Sequence, residues 1–97
     1  MIIVNVNFYL KDEFISDFIN VFNTLSKMVC KEDGCVKYEL YPTQEKNTFF
    51  LNENWESREA LDAHLKMSHM VDFFSSTEKW YINQTEITVY SAEKISL

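Results

Sequence analysis

Few side chains in this 97-residue chain ordinarily titrate near neutrality. Two are histidines, His64 and His69. Imidazole is the side chain whose ordinary pKa suits proton traffic near neutrality. The pair stands five residues apart, not at the four-residue step that sets two imidazoles on one helical face around a metal. His64 shares a helical face with Leu61 and Leu65, so it points inward. There it is either a core histidine bonded to a carbonyl or carboxylate, or a base lining a pocket. His69 falls at a helix break, where a capping or exposed role is the plainer one.

Glu53 and Glu56 flank Trp55 at the end of a strand. Glu53 shares a face with Trp55 while Glu56 points the other way, so they are not a paired-carboxylate site. Solvated strand-end carboxylates are the simpler reading, and Trp55 reads as core more readily than as a substrate platform. Asn5 and Asn7 lie on one strand face and need partners if buried, either at a subunit contact or in a cavity. Tyr38 and Tyr41 point to opposite sides of their strand, so one of them at most faces a given pocket. No Ser–His–Asp or Cys–His order stands out. Any activity must rely on a shaped apolar cavity with a few polar groups.

The elements that would position these groups can be read from periodicity. Residues 2–9 alternate, with Val4, Val6 and Phe8 on one face and Ile3, Asn5, Asn7 and Tyr9 on the other, as in a strand. Asp12 can cap a helix that runs to about Val29, with Phe14, Phe18, Val21, Phe22, Leu25, Met28 and Val29 as its stripe. Lys31 to Gly34 is a charged turn holding the only glycine, where a helix stop is wanted. Val36–Tyr41 and Thr48–Trp55 read as strands joined by a polar loop. Ser57 is a good N-cap, with Glu59 in the first turn of a helix carrying Ala60, Leu61, His64 and Leu65. After a break near Ser68 comes a shorter helical piece with Met70, Phe73 and Phe74. Glu86 to Tyr90 is β-like, with a weaker extension toward Ile95.

The order β-α-β-β-α-β predicts a single-domain ferredoxin-like α+β sandwich, an antiparallel sheet with its helices on one face. The other face, bearing Ile3 and Tyr9, would then be an exposed apolar patch. A second copy packed sheet against sheet covers it, so the expectation is a homodimer. Composition excludes other classes. A net charge of −6 with scattered basic residues argues against nucleic acid. One glycine leaves no phosphate-binding loop. No apolar run approaches the roughly 20 residues of a membrane span, and the opening MIIVNVNFYL lacks the basic flank and cleavage site of a signal peptide. The expected location is cytoplasmic, with Cys30 and Cys35 as free thiols and no metal bound.

The motifs, taken in order, go further. Glu32, Gly34, Cys35 and Tyr38 read E-x-G-C-x-x-Y; Glu53, Trp55, Glu56 and Ser57 read E-x-W-E-S; residues 60–70 read A-L-x-A-H-L-x-x-S-H-M, and Phe73 follows. This resembles the antibiotic biosynthesis monooxygenase domain family, and within it the small bacterial quinol monooxygenase-like proteins. The resemblance covers nearly the whole chain. It implies a ferredoxin-like dimer, with a pocket between sheet and helices in each subunit. The family's best-understood members oxidise phenolic or quinol-type polycyclic substrates with O₂ and no metal or flavin; relatives isomerise small sugar-like phosphates or degrade haem. Trp55, His64 and His69 match the family's recurrent positions. Phe74 stands where the haem-degrading branch has its ligand histidine, which argues against haem. Lys11 and Asp12 replace the usual Pro-Gly after the first strand, a change confined to the turn.

Such an enzyme must ionise its substrate, because O₂ reacts poorly with a neutral phenol. A phenol pKa near 10 leaves about one molecule in a thousand ionised at pH 7, a handicap of roughly 4 kcal/mol. On this reading His64 accepts the proton. Asn5 or Asn7 and the Trp55 indole hold the oxyanion. Tyr38, His69 and Phe73 complete the wall around a small aromatic molecule. The rival expectation is a dimeric ligand-binding or stress-related module on the same fold. The enzyme needs His64 solvent-reachable, with a void of a few hundred Å³ beside it; the module would have His64 packed and bonded, with no void.

Overall fold

A computed structural model describes all residues, Met1–Leu97. The first strand, β1 (Ile2–Tyr9), has the expected alternation: Val4, Val6 and Phe8 are buried under the helices, and the residues between them face outward. A single 3₁₀ turn, Asp12–Phe14, leads into helix α1 (Ile15–Val29). Asp12 does not cap α1. Its carboxylate instead accepts a hydrogen bond from the Asn47 side-chain amide. Phe18, Phe22, Leu25 and Val29 form the buried stripe, whereas Met28 at its margin stays exposed.

Gly34 turns the chain with φ +81°, a conformation that strains side-chain-bearing residues. A Cβ there would lie 2.6 Å from the Cβ of Ala60, so glycine also permits the turn to approach the second helical region. Strands β2 (Cys35–Pro42) and β3 (Thr48–Trp55) pair antiparallel, with a bulge between Cys35 and Lys37. Ser57 caps α2 (Arg58–Leu65) as expected, its hydroxyl accepting the Ala60 amide at 3.1 Å. The break comes at Lys66 and Met67, and α3 (Ser68–Thr77) follows. Strand β4 (Glu86–Ser91) closes the sheet, and no strand continues to Ile95.

The sheet order is β2-β3-β1-β4, every neighbour antiparallel. This is a ferredoxin-like α+β fold, β-α-β-β-α-α-β, with the second helical region split in two. An aromatic cluster fills the space between the layers. Phe18 sits at its centre, 5.0 Å from Phe8 and 6.1 Å from Phe73 by ring centroids. The helices do not cover the whole inner face. Ile87 and Val89 on β4 stay exposed, as do Leu65 and Phe74 facing them across the cavity described below.

The outer face is more mixed than the sequence pattern implies. Asn52 donates its amide to Asn5 Oδ1 at 2.9 Å, and two tyrosine–glutamate pairs, Tyr9–Glu86 and Tyr41–Glu39, flank this contact. Asn54 Oδ1, on the same face, is buried without a hydrogen-bond partner. No helix is long and apolar enough to cross a membrane.

Candidate functional site

Strand alternation and the α2–α3 break bring one polar group after another to His64. The α2 stripe carries Leu61 and His64 inward, and His64 is 1% exposed. Its ring lies 4.5 Å from Trp55 and meets Tyr38 edge-on at 5.7 Å. Tyr38 in turn stacks on Phe22.

The turn after α1 supplies the group that fixes the imidazole. Glu32 Oε2 lies 3.0 Å from His64 Nδ1 and 2.8 Å from His69 Nε2. A Glu32 carboxylate accepts from both rings, which places a proton on His64 Nδ1 and leaves Nε2 as an acceptor. On that side stands Glu53, its Oε1 3.9 Å from His64 Nε2. The Trp55 indole N–H donates to the same Glu53 oxygen at 2.9 Å.

Burial sets the protonation of these groups. It pushes the Glu53 carboxyl up to about 7; the Trp55 hydrogen bond opposes that rise and the charge of Glu32 adds to it. It lowers His64, against the pull of the Glu32 carboxylate. It raises the Tyr38 phenol far above its ordinary range, with Glu53 and Glu32 adding to the effect, so this hydroxyl stays protonated and able to donate. Cys35 is pushed up to about 11, first by burial and then by Cys30, so it is not an activated thiol.

Beside His64 lies an apolar cavity of about 270 Å³. Val4, Val6 and Leu51 form its sheet-side floor, Phe73 and Phe74 its helical wall, and Tyr38, Glu53 and His64 are among its few polar groups. A second, shallower hollow of about 640 Å³ runs between α1 and α3, with His69 and Asp72 on its wall. Phe73 lines both.

Of the residues expected around a substrate, His64, Tyr38 and Phe73 meet at the cavity. Four others do not. Asn5 and Asn7 lie on the opposite face of the sheet, because the strand alternation that buries Val4 and Val6 turns them outward. Trp55 is fully buried behind His64, and its N–H is taken by Glu53, so it is not free for an oxyanion. His69 faces the other hollow and meets His64 only through Glu32. Glu53 is the reverse case. Read from sequence as a solvated strand end, it is 6% exposed and sits on the cavity wall. Glu32 was hidden in a charged turn. The signal for Glu53 was its shared face with Trp55; Glu32 offered none beyond its place in the E-x-G-C motif.

Comparison with known proteins agrees with this architecture. A solved structure of a conserved protein from Methanosarcina mazei Go1 superimposes with TM-score 0.90 at 26% identity, covering 95% of this chain and 92% of that one. A Deinococcus radiodurans protein described as a candidate antibiotic biosynthesis monooxygenase superimposes at 0.92 with 20% identity, covering 100% and 98%, a likeness of fold alone. An uncharacterized Synechocystis protein, sll1783, is 29% identical over 90 residues, 92% of this chain. The chain spans 61% of the length of that relative, and 61% of a second from Bacillus subtilis, YjcS. The family model for antibiotic biosynthesis monooxygenase matches residues 1–76, which hold β1 through most of α3 and the groups Glu32, Tyr38, Glu53, Trp55, His64 and His69. The chain therefore belongs to the antibiotic biosynthesis monooxygenase family.

Proposed function

We propose that this protein is a cofactor-independent monooxygenase acting on a monocyclic or bicyclic phenol or hydroquinone. One observation carries the reading: an apolar cavity of about 270 Å³ opens beside a histidine whose other nitrogen is already held by a carboxylate. An apolar cavity of about 150 Å³ accommodates benzene. The larger one here suits one or two fused rings and is small for a tetracycle.

In this scheme the substrate hydroxyl donates to His64 Nε2. Glu32 stabilises the resulting imidazolium and holds its orientation, as a carboxylate behind a catalytic histidine does. The Tyr38 hydroxyl donates to the phenolate oxygen, the role sequence reading gave to Asn5, Asn7 and Trp55. The phenolate passes one electron to O₂, and the two radicals combine to form a carbon–oxygen bond. Loss of water then leaves a quinone. Phenol plus O₂ thus gives quinone plus water, one oxygen atom in each. The apolar walls keep solvent from the radical pair. The partner subunit, in this reading, is a second copy packed on the face bearing Ile3 and Tyr9, where Asn54 Oδ1 lacks a partner.

The test is O₂ uptake by the purified protein with a panel of one- and two-ring hydroquinones. Turnover should fall by about 10²-fold or more in His64→Ala, the usual worth of a general base. Saturable hydroquinone binding with no O₂ uptake would instead make the cavity a ligand-binding module. Wild-type uptake in a folded His64→Ala would remove His64 from the base role.

A further inference from the structure

Behind His64, on the side away from the cavity, three Lewis-basic atoms converge. They are His64 Nδ1, His69 Nε2 and a Glu32 carboxylate oxygen, all within 4.8 Å of one another. The Glu32 oxygen already lies 3.0 and 2.8 Å from the two nitrogens. A divalent ion with bonds of about 2.0–2.2 Å holds neighbouring ligand atoms roughly 3.0–3.5 Å apart, so modest movement would seat one. The five-residue spacing that argued against a metal pair does not keep the two rings apart. The break at Lys66 and Met67 redirects the chain, and His69 returns to the Glu32 that His64 already meets.

Two further observations point to a cation. The Lys and Arg ion pairs all lie elsewhere, so Glu32 and Glu53, both nearly buried, have no permanent cation between them. Buried carboxylates are ordinarily paired or bound to metal. Glu53 also stands near where a metal-ligating histidine needs a partner: its Oε1, held by the Trp55 N–H, lies 3.9 Å from His64 Nε2, a gap that must close by about 1 Å to make a hydrogen bond. Metal-bound histidines usually donate their second N–H to such a carboxylate. Access is provided by the hollow between α1 and α3, where His69 is 18% exposed. Three protein ligands leave a position for water on that side.

We propose that Glu32, His64 and His69 form a site for a borderline divalent transition-metal ion such as Zn²⁺, and that filling it disables His64 as a base. Two imidazole nitrogens and one carboxylate suit such ions. The proton accounting links the two halves. Each neutral ring carries one proton. A metal on His64 Nδ1 moves that ring's proton to Nε2, and a metal on His69 Nε2 moves the other to Nδ1. The cavity-facing nitrogen of His64 then changes from acceptor to donor. The binding half is independent of the proposed oxygenase reading; the disabling half rests on it.

Calorimetric titration of metal-stripped protein with ZnCl₂ should show one equivalent bound, and Co²⁺ should give a visible ligand-field spectrum. His69→Gln should weaken Zn²⁺ at least about 10-fold, and so should Glu53→Gln, as loss of an outer partner does. A Cys30→Ser, Cys35→Ser double variant should bind as the wild type does. No binding at millimolar Zn²⁺, or affinity that is lost with the cysteines and kept in His69→Gln, overturns the site. Should His69→Gln not fold, zinc-edge X-ray absorption of the wild type decides: two imidazoles support the site, and sulfur in the ligand shell rejects it. The disabling half has a readout that needs no turnover. On adding Zn²⁺, the ¹⁵N resonance of His64 Nε2 should move from the acceptor to the N–H position. A His64 Nε2 that stays unprotonated in the loaded protein overturns that half, whatever the fate of the oxygenase reading.

Discussion

Trp55 and Glu53, two residues apart on β3, point to the same side and are joined by an indole N–H to carboxylate hydrogen bond of 2.9 Å. The bond satisfies the one polar atom of a fully buried tryptophan. It also keeps a carboxyl group inside the molecule, where burial raises its pKa from 4.5 to about 7.

That rise makes stability depend on pH. A carboxyl whose folded pKa exceeds its unfolded one contributes fully below the unfolded value, and its contribution is lost as pH climbs through the folded value. The window here is 4.5 to about 7. Glu53→Gln keeps an oxygen for the Trp55 N–H and removes the ionisation. The variant should match the wild type near the lower end of that window. Above the upper end it should be more stable by about 1–3 kcal/mol. Urea unfolding at the two pH values checks this.

Gly34→Ala should be costly. The positive φ alone costs about 1–2 kcal/mol for a residue with a Cβ, and the new methyl would press on Ala60 of α2. Overpacking of that kind adds about 1–3 kcal/mol. A total loss of about 3 kcal/mol, read from denaturant midpoints, is expected. A cost below about 1 kcal/mol would mean that the turn moves freely away from α2.

Ser57→Ala removes the cap that accepts the Ala60 amide. The expected loss is about 1 kcal/mol, a fall of about 4–8 °C in Tm for a domain of this size. Ser57→Asp, which can cap in the same way, should retain most of the wild-type value. Thermal unfolding of the three proteins gives the comparison.

Sedimentation at micromolar concentration should give twice the 11.6 kDa chain mass. Ile3→Lys places a charge on the outer face, next to the strand that pairs Ile3 with Tyr90. It should shift the species toward monomer without altering the far-ultraviolet spectrum. A wild-type monomer would remove the sheet-to-sheet dimer.

The layers of the fold could be read because period-two and period-3.6 patterns report which side of an element is buried. Val4, Val6 and Phe8 against Asn5 and Asn7, or Phe18, Phe22 and Leu25 along α1, leave little choice of face. The site was only half readable. His64 and Tyr38 sit on such patterned faces, and the pattern placed them. The same alternation ruled Asn5 and Asn7 out of the cavity. Glu32 and His69 lie in a turn and at a helix start, where periodicity carries no direction. Their meeting depends on the angle between α2 and α3, which local sequence does not encode. Glu53 departs from expectation because an acidic residue near a strand end is usually solvated; the indole beside it decides otherwise.

Phe73 lines both the cavity beside His64 and the hollow between α1 and α3. It is a party wall: one ring with a chamber on each side. Trimming it to leucine would enlarge both chambers at once, and any molecule that tilts the ring from one side redraws the room on the other. Evolution or design that reshapes either chamber independently must therefore work through residues other than this one.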